Sequence, residues 1–122
     1  MLNPGETYHN NYSLKRLYEY VGTDPVVVKD MVLIFIGSIS ESLRKMEACL
    51  ELGDLKNFAK ESHKIKTSLL IFGFDDQTEN INLFEQCSDT LLNDARLRFD
   101  QFKLRLLSGV EALQHDFDLH LD

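Results

Sequence analysis

The sequence predicts an all-α fold: an antiparallel four-helix bundle, up-down-up-down, with a short additional N-terminal helix. Three observations carry this. Apolar residues recur at three- and four-residue steps in four stretches, each forming one stripe, and no β-type alternation persists. The turns between stretches are short and marked by Gly, Asp or Pro, so neighbouring helices run antiparallel. Four single-stripe helices bury those stripes most simply against one another.

Residues 1–12 read as a polar tail or short docking arm, and 13–122 as the bundle domain. Ser13 is placed to cap a short helix with Leu14, Leu17, Tyr18 and Val21 as its apolar stripe, and Gly22 ends it. Asp24 is the expected N-cap of the next helix, with Pro25 at its first position, where a missing N–H costs nothing. That helix is predicted over 25–52, with Val28, Met31, Phe35, Ile39, Ser42, Met46 and Leu50 as the buried stripe. Gly53 then ends one helix and Asp54 caps another, predicted over 55–72 and closed by Gly73. A shorter helix is expected to begin near Asp75 or Asp76 and to include Ile81, Phe84 and Cys87. Asp89 or Thr90 is the expected cap of the last helix, whose stripe is Leu92, Ala95, Phe99, Phe102, Leu106, Gly109, Leu113 and Phe117.

Composition bounds the function. A chain of 122 residues with 43% hydrophobic content supports one domain that needs no disulfide. Thirteen basic against twenty acidic side chains give −7, which argues against a general nucleic-acid binder. The longest apolar runs, at 31–36 and 69–72, are far short of a membrane span, and residues 1–12 lack the pattern of a signal peptide. Cys49 and Cys87 form no CxxC or zinc pattern and read as small core or boundary residues, so a reducing, cytoplasmic setting is expected. His115 and His120, interleaved with Asp116 and Asp118, read as a solvated helix end, and no metal or cofactor is expected on this chain.

The informative stretch is 59–68, AKESHKIKTS. On a helix, Leu55, Phe58, Ser62, Ile65, Leu69 and Phe72 share the buried side, and His63 falls about 130° from its centre, on the flank. Lys56, Lys60 and Lys64 lie on the His63 side and Lys66 at the boundary, a basic spot on an acidic chain. A neutral imidazole can attack phosphorus, and nearby ammonium groups offset the charge of the dianionic product. Spacing alone is equally met by a surface histidine among solvated lysines.

The sequence resembles the histidine-containing phosphotransfer (HPt) domains of two-component phosphorelays. That family carries a helical His-Lys-x-Lys-Gly motif with a further Gly downstream; here it reads His63-Lys64-Ile65-Lys66-Thr67, with Gly73 following. Asp24-Pro25 with Phe35, the Gly53-Asp54 turn, and Phe84-Glu85 in place of a Leu-Glu pair also match, so the likeness spans about residues 13–118. The resemblance implies that His63 accepts a phosphoryl group through Nε2 and that Lys64 and Lys66 hold its oxygens. It implies partners that are response-regulator receiver domains, together with a hybrid sensor histidine kinase. The receiver supplies both the aspartate and the Mg²⁺, so this chain is a carrier without kinase activity of its own.

Two departures stand out. Thr67 replaces the family's Gly one turn beyond the histidine, where it either crowds the site or offers a hydroxyl to it. Gln77 and Asn80 stand at usually apolar positions of the fourth helix, which is expected to pack loosely. Leu70 and Ile71, with Val27 and Ile34 off the main stripe of the second helix, form either an apolar rim for a partner or a widened core face. Lys56 and Lys60 would steer an acidic partner toward His63. A monomer is expected. The competing function is a helical adaptor that binds a receiver or kinase without being phosphorylated.

Overall fold

The computed structural model describes residues 11–119. Five helices follow in order: α1 (Lys15–Val21), α2 (Pro25–Leu52), α3 (Leu55–Ile71), α4 (Thr78–Glu85) and α5 (Leu92–Asp116). Short 3-10 turns over Asp75–Gln77 and Asp89–Leu91 lead into α4 and α5. The fold is all-α, a short leading helix and a bundle of four, as the stripes predict.

Side-chain pairs fix the directions. Ser42 meets Glu61 and Phe35 stacks on Phe72, so α2 and α3 are antiparallel. Lys66 meets Asn82 and His63 faces Glu85, which sets α4 antiparallel to α3. Asn80 meets Arg98 while Asp76 meets Arg105, which sets α5 antiparallel to α4. Local chemistry places each boundary. The Asp24 carboxylate accepts from the Val26 N–H at 2.9 Å, and Asp54 accepts from Asn57 N–H at 3.3 Å. Hydrogen bonding to Asn57 holds the Asp54 carboxyl below its ordinary range.

Gly53 takes the left-handed conformation at φ 71°, and Asp54 N–H returns to Cys49 C=O at 2.8 Å, a tight helix stop that only Gly adopts without strain. Gly73 repeats it at φ 83°, with Phe74 N–H on Leu69 C=O. Any side chain at Gly73 would also run into the backbone of Ser13. Helix α1 begins one residue later than a Ser13 cap would place it: Leu14 is the cap residue, while the Ser13 hydroxyl still accepts from Lys15 N–H at 3.3 Å. Helix α4 stops at Glu85, so Cys87 lies beyond it. Neither Asp89 nor Thr90 caps α5 directly; the chain enters through the 3-10 turn instead.

The core is aromatic at its centre. Phe58, Phe84 and Phe102 are fully buried, with Phe84 edge-on to both Phe58 and Phe102 at centroid distances of 5.1 and 5.2 Å. Gln77 is also buried, yet its amide is satisfied: it donates to Asp76 and accepts from Asn80, whose own oxygen accepts from Arg98. Gln77, which falls in the 3-10 turn before α4, and Asn80 within α4 are thus tied into a network rather than left open.

Of the segment read as a tail, residues 1–10 lie outside the described residues, whereas Asn11 and Tyr12 pack on α5. Tyr12 is buried and its hydroxyl donates to Asp116. Burial and that carboxylate push the phenol well above its ordinary range. Arg105 donates to the Asn11 carbonyl at 2.9 Å. Among the described residues, no helix is long and apolar enough to cross a membrane.

Candidate functional site

Helix α3 presents its buried side through Phe58, Ser62, Ile65 and Leu69. Its outward side carries Lys56, Lys60, His63, Lys64 and Thr67, all exposed, as the helical spacing places them. The His63 side chain is 75% exposed. Its Nδ1 faces Glu85 Oε1 of α4 at 3.5 Å, and Lys66 Nζ approaches the same oxygen at 3.5 Å. Those distances are close contacts and not hydrogen bonds; Glu85 Oε1 is shut off from water without a hydrogen-bond partner. No hydrogen bond reaches His63 Nε2 among the described residues.

This arrangement has a chemical consequence. A carboxylate beside Nδ1 favours the tautomer with the proton on Nδ1. The lone pair is then on Nε2, the nitrogen turned away from Glu85. Any positive charge that the ring acquires on reacting at Nε2 sits next to the carboxylate. Glu85 is a contact of the His63 ring that the spacing along α3 could not reveal, because it arrives from another helix. Its signal in the sequence was the Phe84-Glu85 pair: burying Phe84 turns the next residue toward α3.

The lysines divide into two groups. Lys64 Nζ lies 3.8 Å from Glu61 Oε2, and Lys66 Nζ lies near Glu85 and 3.2 Å from Asn82 Oδ1. Lys56 and Lys60 have no ion pair among the described residues. Exposed ion pairs are worth about 0–1 kcal/mol, so Lys64 can leave Glu61 for a dianionic group at little cost. Glu61 is itself held by the Ser42 hydroxyl at 2.8 Å. Beside this face, a cleft of about 480 Å³ lies between α2 and α3, lined by Lys45, Ala48, Cys49, Asn57, Lys60, Glu61 and Lys64. Burial, then the charges of Asp54 and Glu61, push the Cys49 thiol up, which keeps it protonated.

The apolar residues proposed as a rim are only partly gathered. Leu70 and Ile71 are half-buried at the end of α3. The Leu70 carbonyl accepts from Arg16 at 2.7 Å, and Ile71 lines a cleft with Arg16, Glu19 and Asp75. Ile34 is 63% exposed and Val27 37%. The Phe35–Phe72 and Ser42–Glu61 pairs set Ile34 level with the Leu70–Ile71 end of α3, roughly 10 Å along the axis from His63. Val27 lies about 10 Å further on.

The remaining histidines do not join this site. His115 Nδ1 lies 3.3 Å from Asp116 on an exposed helix end, and His9 and His120 fall outside the described residues. No cluster of three or more His, Cys, Asp or Glu side chains able to hold a metal occurs among the described residues. Comparison of the chain with protein-family models, with curated proteins and with solved structures found no match.

Glu85→Ala is expected to slow any reaction at Nε2 by about tenfold or more, through loss of ring orientation and tautomer control. Glu85→Gln, which keeps an oxygen acceptor, is expected to restore most of the rate. Nitrogen-15 shifts of the His63 ring should move toward a mixed tautomer in the Ala variant alone.

Proposed function

We propose that this chain is a phosphocarrier, a protein that receives and passes on a phosphoryl group without making one. More specifically, it acts as a histidine-containing phosphotransfer domain, moving the group between His63 and the aspartate of a response-regulator receiver domain. The observation that carries this reading is the state of His63: exposed on the flank of a bundle, Nδ1 against a carboxylate, Nε2 unbonded, lysines around it.

The step balances between the imidazole of this chain and the aspartyl phosphate of the partner. The Nε2 lone pair attacks phosphorus of the partner's aspartyl phosphate. The P–O bond breaks, and its electron pair returns to the aspartate carboxylate. The proton stays on Nδ1, so the phosphorylated ring is cationic and faces Glu85. Lys64 and Lys66 offset the charge on the phosphoryl oxygens. The reverse step regenerates the neutral imidazole. The Mg²⁺ of such a transfer belongs to the receiver and would help neutralise the oxygens there. Lys56 and Lys60 add steering toward an acidic receiver pocket, and Ile34 with the Leu70–Ile71 end of α3 extends the contact. A receiver carried by a hybrid sensor histidine kinase would present the same chemistry.

The test is incubation with a panel of ³²P-labelled receiver domains and Mg²⁺. The proposal requires acid-labile, base-stable label on the wild type. Tight receiver binding without label across the panel would instead establish a non-phosphorylated adaptor.

A further inference from the structure

We infer that the Thr67 hydroxyl holds a phosphoryl oxygen on His63 and thereby sets the lifetime of the phosphorylated state; this rests on His63 as the acceptor. Thr67 lies one turn beyond His63 on the outward side of α3 and is exposed. Residues four apart on a helix have Cβ atoms about 6 Å apart. Helical side chains lean toward the helix N-terminus, which carries Thr67 over the turn that bears His63.

The hydroxyl is uncommitted. A helical Ser or Thr can bond the carbonyl four residues back, and Ser62 in this same helix does so, donating to Phe58 C=O at 2.8 Å. Thr67 makes no hydrogen bond among the described residues. The neighbouring lysines supply charge to the phosphoryl oxygens, but each starts from a carboxylate contact of its own or from further along the helix. Lys64 is drawn to Glu61 and Lys66 to Glu85 and Asn82. Lys56 and Lys60 lean away from His63, toward the start of α3. A phosphoryl group on Nε2 brings three acceptor oxygens to a hydroxyl on this face that has no partner among the described residues. Pinning an oxygen restrains the group against attack by water. Thr67 thus acts on how long the chain stays charged, a property separate from whether it can be charged.

The experiment needs no protein partner. Wild type, Thr67→Val and Thr67→Ser are phosphorylated with phosphoramidate. The Nε2–P bond forms as the donor's P–N bond breaks, and ammonia leaves with its electron pair. After donor removal, ³¹P NMR follows decay of the phosphohistidine signal. Val keeps the shape and loses the hydroxyl, so its half-life should fall about three- to tenfold, whereas Ser should stay within about twofold of wild type. Equal half-lives for Val and wild type overturn the inference. So does a Ser variant as short-lived as Val, which would assign the effect to the methyl group. If the wild type gives no phosphohistidine signal from phosphoramidate or from labelled receivers, the acceptor reading itself falls, and this inference with it.

Discussion

Replacing His63 with Gln is expected to abolish phosphoryl acceptance and to leave the fold intact. The amide has no ring lone pair to attack phosphorus, so the loss should be complete and not graded. The structural cost should be small because the side chain is 75% exposed and its one polar contact among the described residues, with Glu85, is at 3.5 Å. A contact of that kind contributes about 0–1 kcal/mol. The melting temperature should therefore shift by no more than a few degrees. Label on the acceptor by gel autoradiography and a thermal melt by circular dichroism check the two halves together. Residual label on the variant would move the acceptor to another residue, His115 being the other exposed histidine among the described residues.

The second large effect concerns stability. Phe84→Ala should destabilise the domain by about 3–5 kcal/mol, since a fully buried ring leaves a cavity that its neighbours fill only in part. Phe84 packs edge-on to Phe58 and Phe102 and lies 6.3 Å from Phe99, so the cavity would open at the meeting point of α3, α4 and α5. Domains of this size are stable by about 5–15 kcal/mol in all, so the loss is a large fraction. The eight residues of α4 are too few to hold helical form unaided, and Phe84 and Ile81 are the two side chains it buries. Glu85 follows directly, so the variant should also lose its grip on the His63 ring. Urea denaturation measures the stability change. Leu97→Ala, at an exposed position of α5, is the comparison and should stay within about 0.5 kcal/mol.

Much of this molecule can be read from its stripes and stops. Asp24-Pro25 and Gly53-Asp54 mark boundaries because caps and left-handed stops are local chemistry, decided by a few neighbouring residues. The outward placement of Lys56, Lys60, His63, Lys64 and Thr67 follows from 100° per residue alone. What could not be read is whatever depends on a second element. Glu85 reaches His63 only because α4 lies antiparallel to α3. Gln77 appears as a flaw in a stripe until its partners Asp76 and Asn80 are seen to be held by Arg105 and Arg98 of α5. Leu70 and Ile71 share a helix with His63, yet Arg16 and the end of α1 partly cover them. Asn11 and Tyr12 show the same limit: their polarity marks a tail, and only contacts with Arg105 and Asp116, far away in sequence, join them to the bundle.

The proposed phosphorylated state has the phosphoryl group on Nε2 of His63 and the proton on Nδ1 beside Glu85. It is tested most directly by NMR of protein with ¹⁵N-labelled histidine rings, before and after treatment with phosphoramidate. Phosphorus–nitrogen coupling at Nε2 of His63 and a protonated Nδ1 are expected in the phosphorylated protein. Coupling at Nδ1, or at another histidine, would contradict the proposed state.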